Sequence, residues 1–499
     1  FDNASDSIAL INNNQSVTYK KLGQKVYQAA QNLDIESITS NDVVALCIPK
    51  SFDHIYYTLA CIFSGIIWLP LDANAPPERI LFQLRNAKAT AIVINRDNKH
   101  IEEIIRVKLK SIKCIILSEN SEEICSISNY ANAKRWNYLK DYSSSYYLYT
   151  SGTTGIPKCV ALNNIATNNT IQASIKQWKI THKDCVMSVT PFYHDMSLFD
   201  IFGTLCVGAT LVLPEKDKVK DAFEWANLIE QFKVTIWVSV PAVTDMLLMA
   251  ANSQQLTSIR LLAQGGDYIR IKTIRNLISI NPNIKLYSLG GPTETTIWSI
   301  WHEINIDYDL EHYGCIPYGK PLVGNNYIIL DKKNNECSAT QVGNIAMSGI
   351  NLSNGYIVNG ELDFEGYKRV GKELEHWVYI SKDIGFQEVD GVIIFKGREE
   401  GYLKIKGVRV SAAEVEKYIL DIPSISQCIV VELPDEELSY SELAVAYVSD
   451  KTYQKSLQSL YTQELRKYLP EVSIPTKWYQ LPELPLTPNG KFDRKEVRN

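Results

Sequence analysis

No C-x-x-C pair occurs among the ten cysteines, which are scattered from Cys47 to Cys428, and no H-x-x-x-H spacing among the seven histidines. Zinc-finger and dithiol chemistry are therefore not signalled, and a reducing, cytoplasmic compartment is the simple expectation. Long apolar runs are also lacking. The longest, Ile55 to Leu69, is shorter than the roughly 18 to 20 residues a membrane-spanning helix needs, and it reads as one buried core helix. There is no basic excess: 51 Lys and Arg face 56 Asp and Glu, for a formal charge of -5. This excludes a field suited to nucleic acid or an anionic membrane, so an anionic substrate must be met by local donors. Repeats and low-complexity tracts are missing too. Opening at Phe1 rather than methionine, the chain reads as trimmed or excised from something longer.

What remains is globular. With 45% hydrophobic and 21% charged residues over 499 positions, the chain has enough apolar surface for two or more domains. Short β-rich runs begin at Val43, Ala91, Lys113, Val186, Ala209, Val234 and Ile259, and helix-length segments separate them. That alternation predicts an α/β fold whose sheets are largely parallel and covered by helices. Pro76 and Pro77 mark a helix start, because the first turn tolerates proline. Past about residue 305 the pattern turns to short strands punctuated by Gly and Asn, a barrel-like portion. A small α+β segment follows from Gly397, with helices expected near Ala412–Leu420 and Lys455–Tyr468. The expected organisation is a large N-terminal lobe over 1–396, built of two βα-type sheet subdomains with the barrel-like part at 305–396. A small, mobile C-terminal lobe is expected over 397–499.

The densest chemical string is Tyr149-Thr-Ser-Gly-Thr-Thr-Gly-Ile-Pro-Lys158, directly after a strand-like YYLY. Backbone N–H groups and the hydroxyls of Thr150, Ser151, Thr153 and Thr154 can wrap phosphate oxygens, with Gly152 and Gly155 easing the backbone and Lys158 adding charge. It is not a Walker A loop, since proline precedes the lysine. Further strings follow in order: Phe192-Tyr-His-Asp-Met-Ser-Leu-Phe199, Gly290-Gly-Pro-Thr-Glu294, Tyr379-Ile-Ser-Lys-Asp383, Gly397-Arg-Glu-Glu-Gly-Tyr-Leu-Lys404 and Pro485-Leu-Thr-Pro-Asn-Gly-Lys491-Phe-Asp-Arg494.

Together these strings resemble the motifs of the adenylate-forming superfamily, which includes acyl-CoA synthetases, luciferases and the adenylation domains of nonribosomal peptide synthetases. The resemblance covers essentially the whole chain. It implies an ATP- and Mg²⁺-dependent ligase that joins a carboxylate to AMP, releases pyrophosphate, and passes the acyl group to a thiol. Nucleotide contacts are then expected from the 150–158 loop, Gly290, Gly291, Pro292, Thr293, Asp383 and Arg398, with Glu294 holding the metal. Lys491 would bridge substrate carboxylate and phosphate, and Lys404 would face the thiol tunnel in the second half-reaction. Glu400 would be the hinge, where the family has aspartate. For Asp383 and Arg398 a structural ion pair is the rival reading, as is a solvated surface charge for Lys491 taken alone.

Substrate class rests on Asp195. The resemblance is to the branch in which this aspartate pairs with an α-ammonium group, and a buried carboxylate would be costly without a cation. The resemblance implies a pocket of Asp195, Met196, Phe199, Ser239, Leu262, Gln264, Leu289, Ile297 and Trp298. The bulk of Phe199 and Trp298 suggests a small or medium neutral amino acid, with Gly, Ala, Cys, Pro or a polar residue all open. The apolar positions read equally well as plain core. The partner implied is a phosphopantetheine-bearing carrier protein, in cis or in trans. An acid:CoA or aryl-acid ligase is the alternative enzyme, and a degenerate nucleotide-binding or partner-recruiting domain the non-enzymatic one. Two departures stand out: Gly290 replaces the aromatic that stacks on adenine, and His194 replaces phenylalanine, as a tunnel gate or a semi-buried histidine.

Overall fold

The computed structural model describes residues 6–117, 143–150, 157–267, 269–370, 376–398, 402–405, 408–434, 441–452, 455–467, 469, 471–488 and 491–498. The chain divides into two compact units, Phe1–Asn326 with Met347–Tyr379, and Tyr327–Ala346 with Ile380–Asn499. The expected boundary at 396/397 lies inside the second unit. No helix among the described residues is long and apolar enough to cross a membrane.

The first unit holds two sheets. One runs Lys320–Pro321, Ile300–Glu303, Lys285–Gly290, Leu261–Gly265, Ile236–Ser239, Cys185–Met187, Thr210–Val212, Ile8–Ile11, Ser16–Thr18. Its strands are parallel from Ile8–Ile11 through Lys285–Gly290, and antiparallel strands extend both edges. The other sheet runs Glu361–Asp363, Tyr356–Val358, Lys158–Leu162, Tyr146–Thr150, Ile67–Pro70, Val43–Cys47, Ala91–Ile94, Lys113–Ile116. Val43–Cys47 shows why these strands form: all its positions are buried, with Val44 and Leu46 packed in one core and Val43, Ala45 and Cys47 in another. A strand covered on both faces reads as a continuous apolar run. Val186, Val238 and Ala263 of the first sheet share a core with Val44 and Leu46 of the second, so that core joins facing sides of the two sheets.

Two expectations are corrected. The run Ile55 to Leu69 is not one helix. Helix Phe52–Ser64 stops at Gly65, left-handed at φ 68, and the chain re-enters the sheet as strand Ile67–Pro70. Glycine takes that conformation without penalty, which ends the helix there. The segment after residue 305 opens with helix Ile306–Tyr313 rather than a strand, capped by Asn305 and closed by left-handed Gly314. Pro77 does open its helix, Pro77–Asn86.

In the second unit, strands run Val408–Ser411, Tyr402–Ile405, Ser441–Ser449, Ile425–Pro434, with Lys477–Gln480 added on Ser441–Ser449. Helices Ala412–Leu420 and Lys455–Leu465 contribute Val415, Ile419, Tyr461 and Leu465 to its core. The architecture is thus mixed α/β, a larger sheet-containing unit and a smaller one.

Candidate active site

At the end of strand Lys285–Gly290 the chain turns sharply through Gly291, whose φ is +119. A Cβ there would lie 2.9 Å from both Ser299 Oγ and Thr295 Oγ1, so glycine is required twice over. Thr293–Thr295 then makes one short turn, and the next residues are held in the left-handed region, Thr296 at φ 57 and Ile297 at φ 64. For β-branched residues this is strained, by about 1–3 kcal/mol each. Buried polar groups hold the strained backbone. Thr170 Oγ1 donates toward the carbonyls of Thr296 and Trp298 at 3.3 and 3.1 Å. Thr296 Oγ1 donates to Asn351 O at 2.9 Å, and Asn351 Nδ2 donates to Thr170 Oγ1 at 2.6 Å.

The strain positions Thr293 and Glu294. Thr293 Oγ1 donates to Asp195 Oδ2 at 2.5 Å, and Asp195 is only 6% exposed. His194 Nδ1 approaches Asp195 Oδ1 to 3.1 Å, without hydrogen-bond alignment. The turn carrying both is closed by Ser197, whose Oγ donates to His194 O at 2.6 Å.

Glu294 is buried, and Tyr356 donates its hydroxyl to Glu294 Oε1. Burial, with the Glu294 charge beside it, pushes the Tyr356 hydroxyl far above its usual range, so it stays a donor. Tyr379 lies at 3.3 Å from the Tyr356 hydroxyl. Strand Tyr356–Val358 pairs with strand Lys158–Leu162, and Lys158 Nζ sits 5.0 Å from the Tyr356 ring centre. Tyr356 thereby links Glu294 to the closing end of the Thr150–Lys158 hairpin. Lys158 also pairs with Glu365 at 2.7 Å. Thr150 pairs with Lys158 in register, while Ser151, Gly152, Thr153, Thr154 and Gly155 lie outside the described residues.

Of the expected pocket positions, Met196, Phe199, Leu289, Ile297 and Trp298 share one core cluster. Phe199 and Trp298 form an aromatic group with Trp178, tilted or edge-to-face at centroid distances of 5.3 Å for Phe199–Trp298, 5.1 Å for Trp178–Phe199 and 5.7 Å for Trp178–Trp298. Leu262 belongs to a different cluster, with Trp237 and Leu286. Ser239 is bound up with Thr244 at 2.9 Å and Trp237 Nε1 at 2.9 Å. Gln264, in register with Ser239 and Ser288, is 1% exposed, and neither polar atom of its amide has a partner among the described residues.

Sequence reading missed two electrostatically coupled groups near Phe192, half-buried Lys50 and fully buried Asp200. Lys50 Nζ donates to Thr190 O at 2.6 Å and sits 4.8 Å from the Phe192 ring centre. Burial pulls Lys50 down to about 7, opposed by the nearby Asp200 charge. Burial likewise pushes Asp200 up to about 8, opposed by Lys50 and by a hydrogen bond from Ser188.

The remaining expected residues belong to the second unit. Asp383 is buried in strand His376–Gln387, its backbone N–H donating to Ser381 Oγ at 3.1 Å, and it pairs in register with Arg398. Lys404 lies in strand Tyr402–Ile405, opposite Arg409. The side chains of Arg398 and Lys404, and the whole of Glu400, are outside the described residues. Lys491 is half-buried on a tight return: Thr487 N donates to Lys491 O at 2.6 Å, and Lys491 N to Thr487 Oγ1 at 3.2 Å. Arg494 anchors that return through Glu416, at 2.6 Å from Nη2 to Oε2.

Thr170, Asn351, Tyr356 and Lys50 carried no motif signal, because each reaches the site from a distant part of the chain. Gly290 did carry one. A Cβ at Gly290 would fall 2.0 Å from the Tyr318 ring, and Gly291 N donates to the Tyr318 hydroxyl at 2.6 Å.

A family model described as AMP-binding enzyme matches residues 2–357, and one described as AMP-binding enzyme C-terminal domain matches residues 414–491. Bacitracin synthase 1 of Bacillus licheniformis is 28% identical over 504 residues, which span 99% of this chain and 9% of that synthase's length. Holo-AB3403, a four-domain nonribosomal peptide synthetase bound to AMP and glycine, superposes with a TM-score of 0.83 at 21% identity, over 99% of this chain and 35% of that one. The anthranilate CoA ligase AuaEII in complex with anthranoyl-AMP gives a TM-score of 0.84 at 20% identity, over 99% and 94%. At such identities the likeness to the two structures is one of fold.

Proposed function

Because this chain belongs to the AMP-binding enzyme family, we propose that it is an AMP-forming ligase that activates an amino acid and hands it to the phosphopantetheine thiol of a carrier protein. The observation that carries the amino-acid reading is Asp195, a buried carboxylate next in sequence to Met196 of the Phe199 and Trp298 core cluster and hydrogen-bonded to Thr293 of the Gly-Pro-Thr-Glu turn. In such surroundings a carboxylate favours a cationic partner, and an α-ammonium group supplies one. The glycine-bound protein is by its title a nonribosomal peptide synthetase, which supports the same reading.

On this reading a carboxylate oxygen of the amino acid attacks the α-phosphorus of ATP, the bond to the bridging oxygen breaks, and pyrophosphate leaves. Asp195 fixes the ammonium end, which aims the carboxylate at Thr293. The Thr293 hydroxyl, next to Glu294 in the same short turn, turns from Asp195 to the α-phosphate once the ammonium group occupies that carboxylate. Glu294 fits Mg²⁺ because it brings one hard carboxylate, its Oε1 held by Tyr356, and Mg²⁺ usually takes one or two carboxylates plus phosphate oxygens. The ion would offset charge on the phosphates. Lys491 is assigned the counter-charge for the carboxylate–phosphate approach, and Asp383 and Arg398 the nucleotide sugar. In the second step the carrier thiolate attacks the acyl carbon and AMP departs, with Lys404 assigned to that half-reaction.

Amino-acid-dependent exchange of labelled pyrophosphate into ATP, over amino acids, hydroxy acids and aryl acids, tests the proposal. Exchange confined to acids lacking an amino group would transfer the reading to an aryl-acid or acid:CoA ligase.

A further inference from the structure

We infer that Tyr318 is the platform on which this site seats the nucleotide base, an inference that rests on the AMP-forming reading. Gly290 ends its strand, and its φ lies outside the positive region where glycine is needed. What requires glycine there is the Tyr318 ring. A Cβ at 290 would lie 2.0, 2.4 and 2.6 Å from ring atoms Cε2, Cζ and Cδ2 of Tyr318. The ring therefore occupies the space into which a residue-290 side chain would project.

Tyr318 is fixed from two sides. Its hydroxyl accepts a 2.6 Å hydrogen bond from the backbone N–H of Gly291. The next residue, Gly319, has φ +111, and a Cβ there would lie 1.9 Å from Trp301 O, so the chain presses against strand Ile300–Glu303 and sets the direction of Tyr318. The ring is only partly buried, at the mouth of the turn that holds Thr293 and Glu294.

On the AMP-forming reading the α-phosphate lies at Thr293, and Tyr318, bonded to Gly291 two residues before it, is an aromatic ring within a nucleotide's reach of that phosphate. A purine is flat and binds well against a fixed aromatic face, which gives up little conformational freedom. The Tyr318 ring thus fills the space beside Gly290, on a segment brought alongside by two antiparallel strand pairings.

Thermal-shift titrations with ATP and with inorganic tripolyphosphate, both in magnesium, test this with wild type, Tyr318→Ala, Tyr318→Phe and the double variant Gly290→Tyr/Tyr318→Ala. Tyr318→Ala should weaken ATP about 10-fold or more and leave tripolyphosphate unchanged, because only the base loses its platform. Tyr318→Phe should retain most of the affinity. The double variant, with its ring returned to 290, should recover ATP binding. Equal weakening of ATP and tripolyphosphate would mean that Tyr318 only shapes the turn, and unchanged ATP binding in Tyr318→Ala would remove it from the site; either overturns the inference. Wild type unaffected by ATP would refute the AMP-forming reading itself, and this inference with it.

Discussion

Thr293 donates its hydroxyl to Asp195 across 2.5 Å, joining two motifs that lie 98 residues apart. One motif ends a parallel strand and the other is a turn after Cys185–Met187. A side chain assigned to the phosphate and one assigned to the substrate ammonium are therefore already coupled. Thr293→Val removes the donor at nearly constant volume. With Asp195→Asn it completes a double-mutant cycle that should be non-additive by about 1–3 kcal/mol in pyrophosphate-exchange kcat/KM. Additive effects would mean that the two groups act independently.

Tyr356 donates its hydroxyl to the Glu294 carboxylate, and its raised pKa keeps it a donor through the physiological range. Tyr356→Phe should lower kcat/KM for magnesium-ATP by about 10-fold, the cost of one charge-assisted hydrogen bond. Its magnesium dependence should move to higher concentration. A variant with wild-type magnesium titration would detach Tyr356 from the metal-holding role.

The strained pair Thr296 and Ile297 depends on Asn351, which also receives hydrogen bonds from Asn169 at 2.8 Å and Asn325 at 3.1 Å. Asn351→Leu strands several buried polar groups and should cost about 2–4 kcal/mol of stability by urea unfolding. Activity should fall further than stability explains, since the turn bearing Thr293 relaxes. Thr170→Val should show the same pattern more weakly. Loss of stability with unchanged kinetics in the folded fraction would show that the strain has no part in the chemistry.

His54 gives the fold an acid limit. It is buried, Nδ1 donates to Ile48 O at 3.0 Å, and burial, with the Lys50 charge adding, pulls it from 6.5 to about 4. Between those values the unfolded chain binds a proton that the native state does not. Stability therefore rises with pH across that window and is lost on acidification, by up to about 3 kcal/mol. Urea midpoints for wild type and His54→Gln should converge as pH falls from 6.5 to about 4. Parallel losses would assign the acid sensitivity to other groups.

The buried parallel strands were readable in advance because burial on both faces leaves an unbroken apolar run, as in Val43–Cys47 and Ala91–Ile94. The run from Ile55 misled for the same reason: helix Phe52–Ser64 and strand Ile67–Pro70 are both apolar, and one residue, Gly65, separates them. At the site, Asp195, Thr293 and Glu294 sit in compact strings whose residue types state their chemistry. Tyr318, Tyr356 and Asn351 are ordinary residues in unremarkable strings, made relevant by strand pairing that brings distant segments together. Gly290 marked a gap, but only the folded chain shows which ring fills it.

The central claim is tested most directly by amino-acid-dependent exchange of pyrophosphate into ATP with wild type and Asp195→Ala. The account predicts exchange with one or a few amino acids, reduced at least about 100-fold by Asp195→Ala, as loss of a buried charge pair requires, while ATP still raises the melting temperature of the variant. Exchange that survives the substitution, or that needs no amino group on the acid, would contradict it.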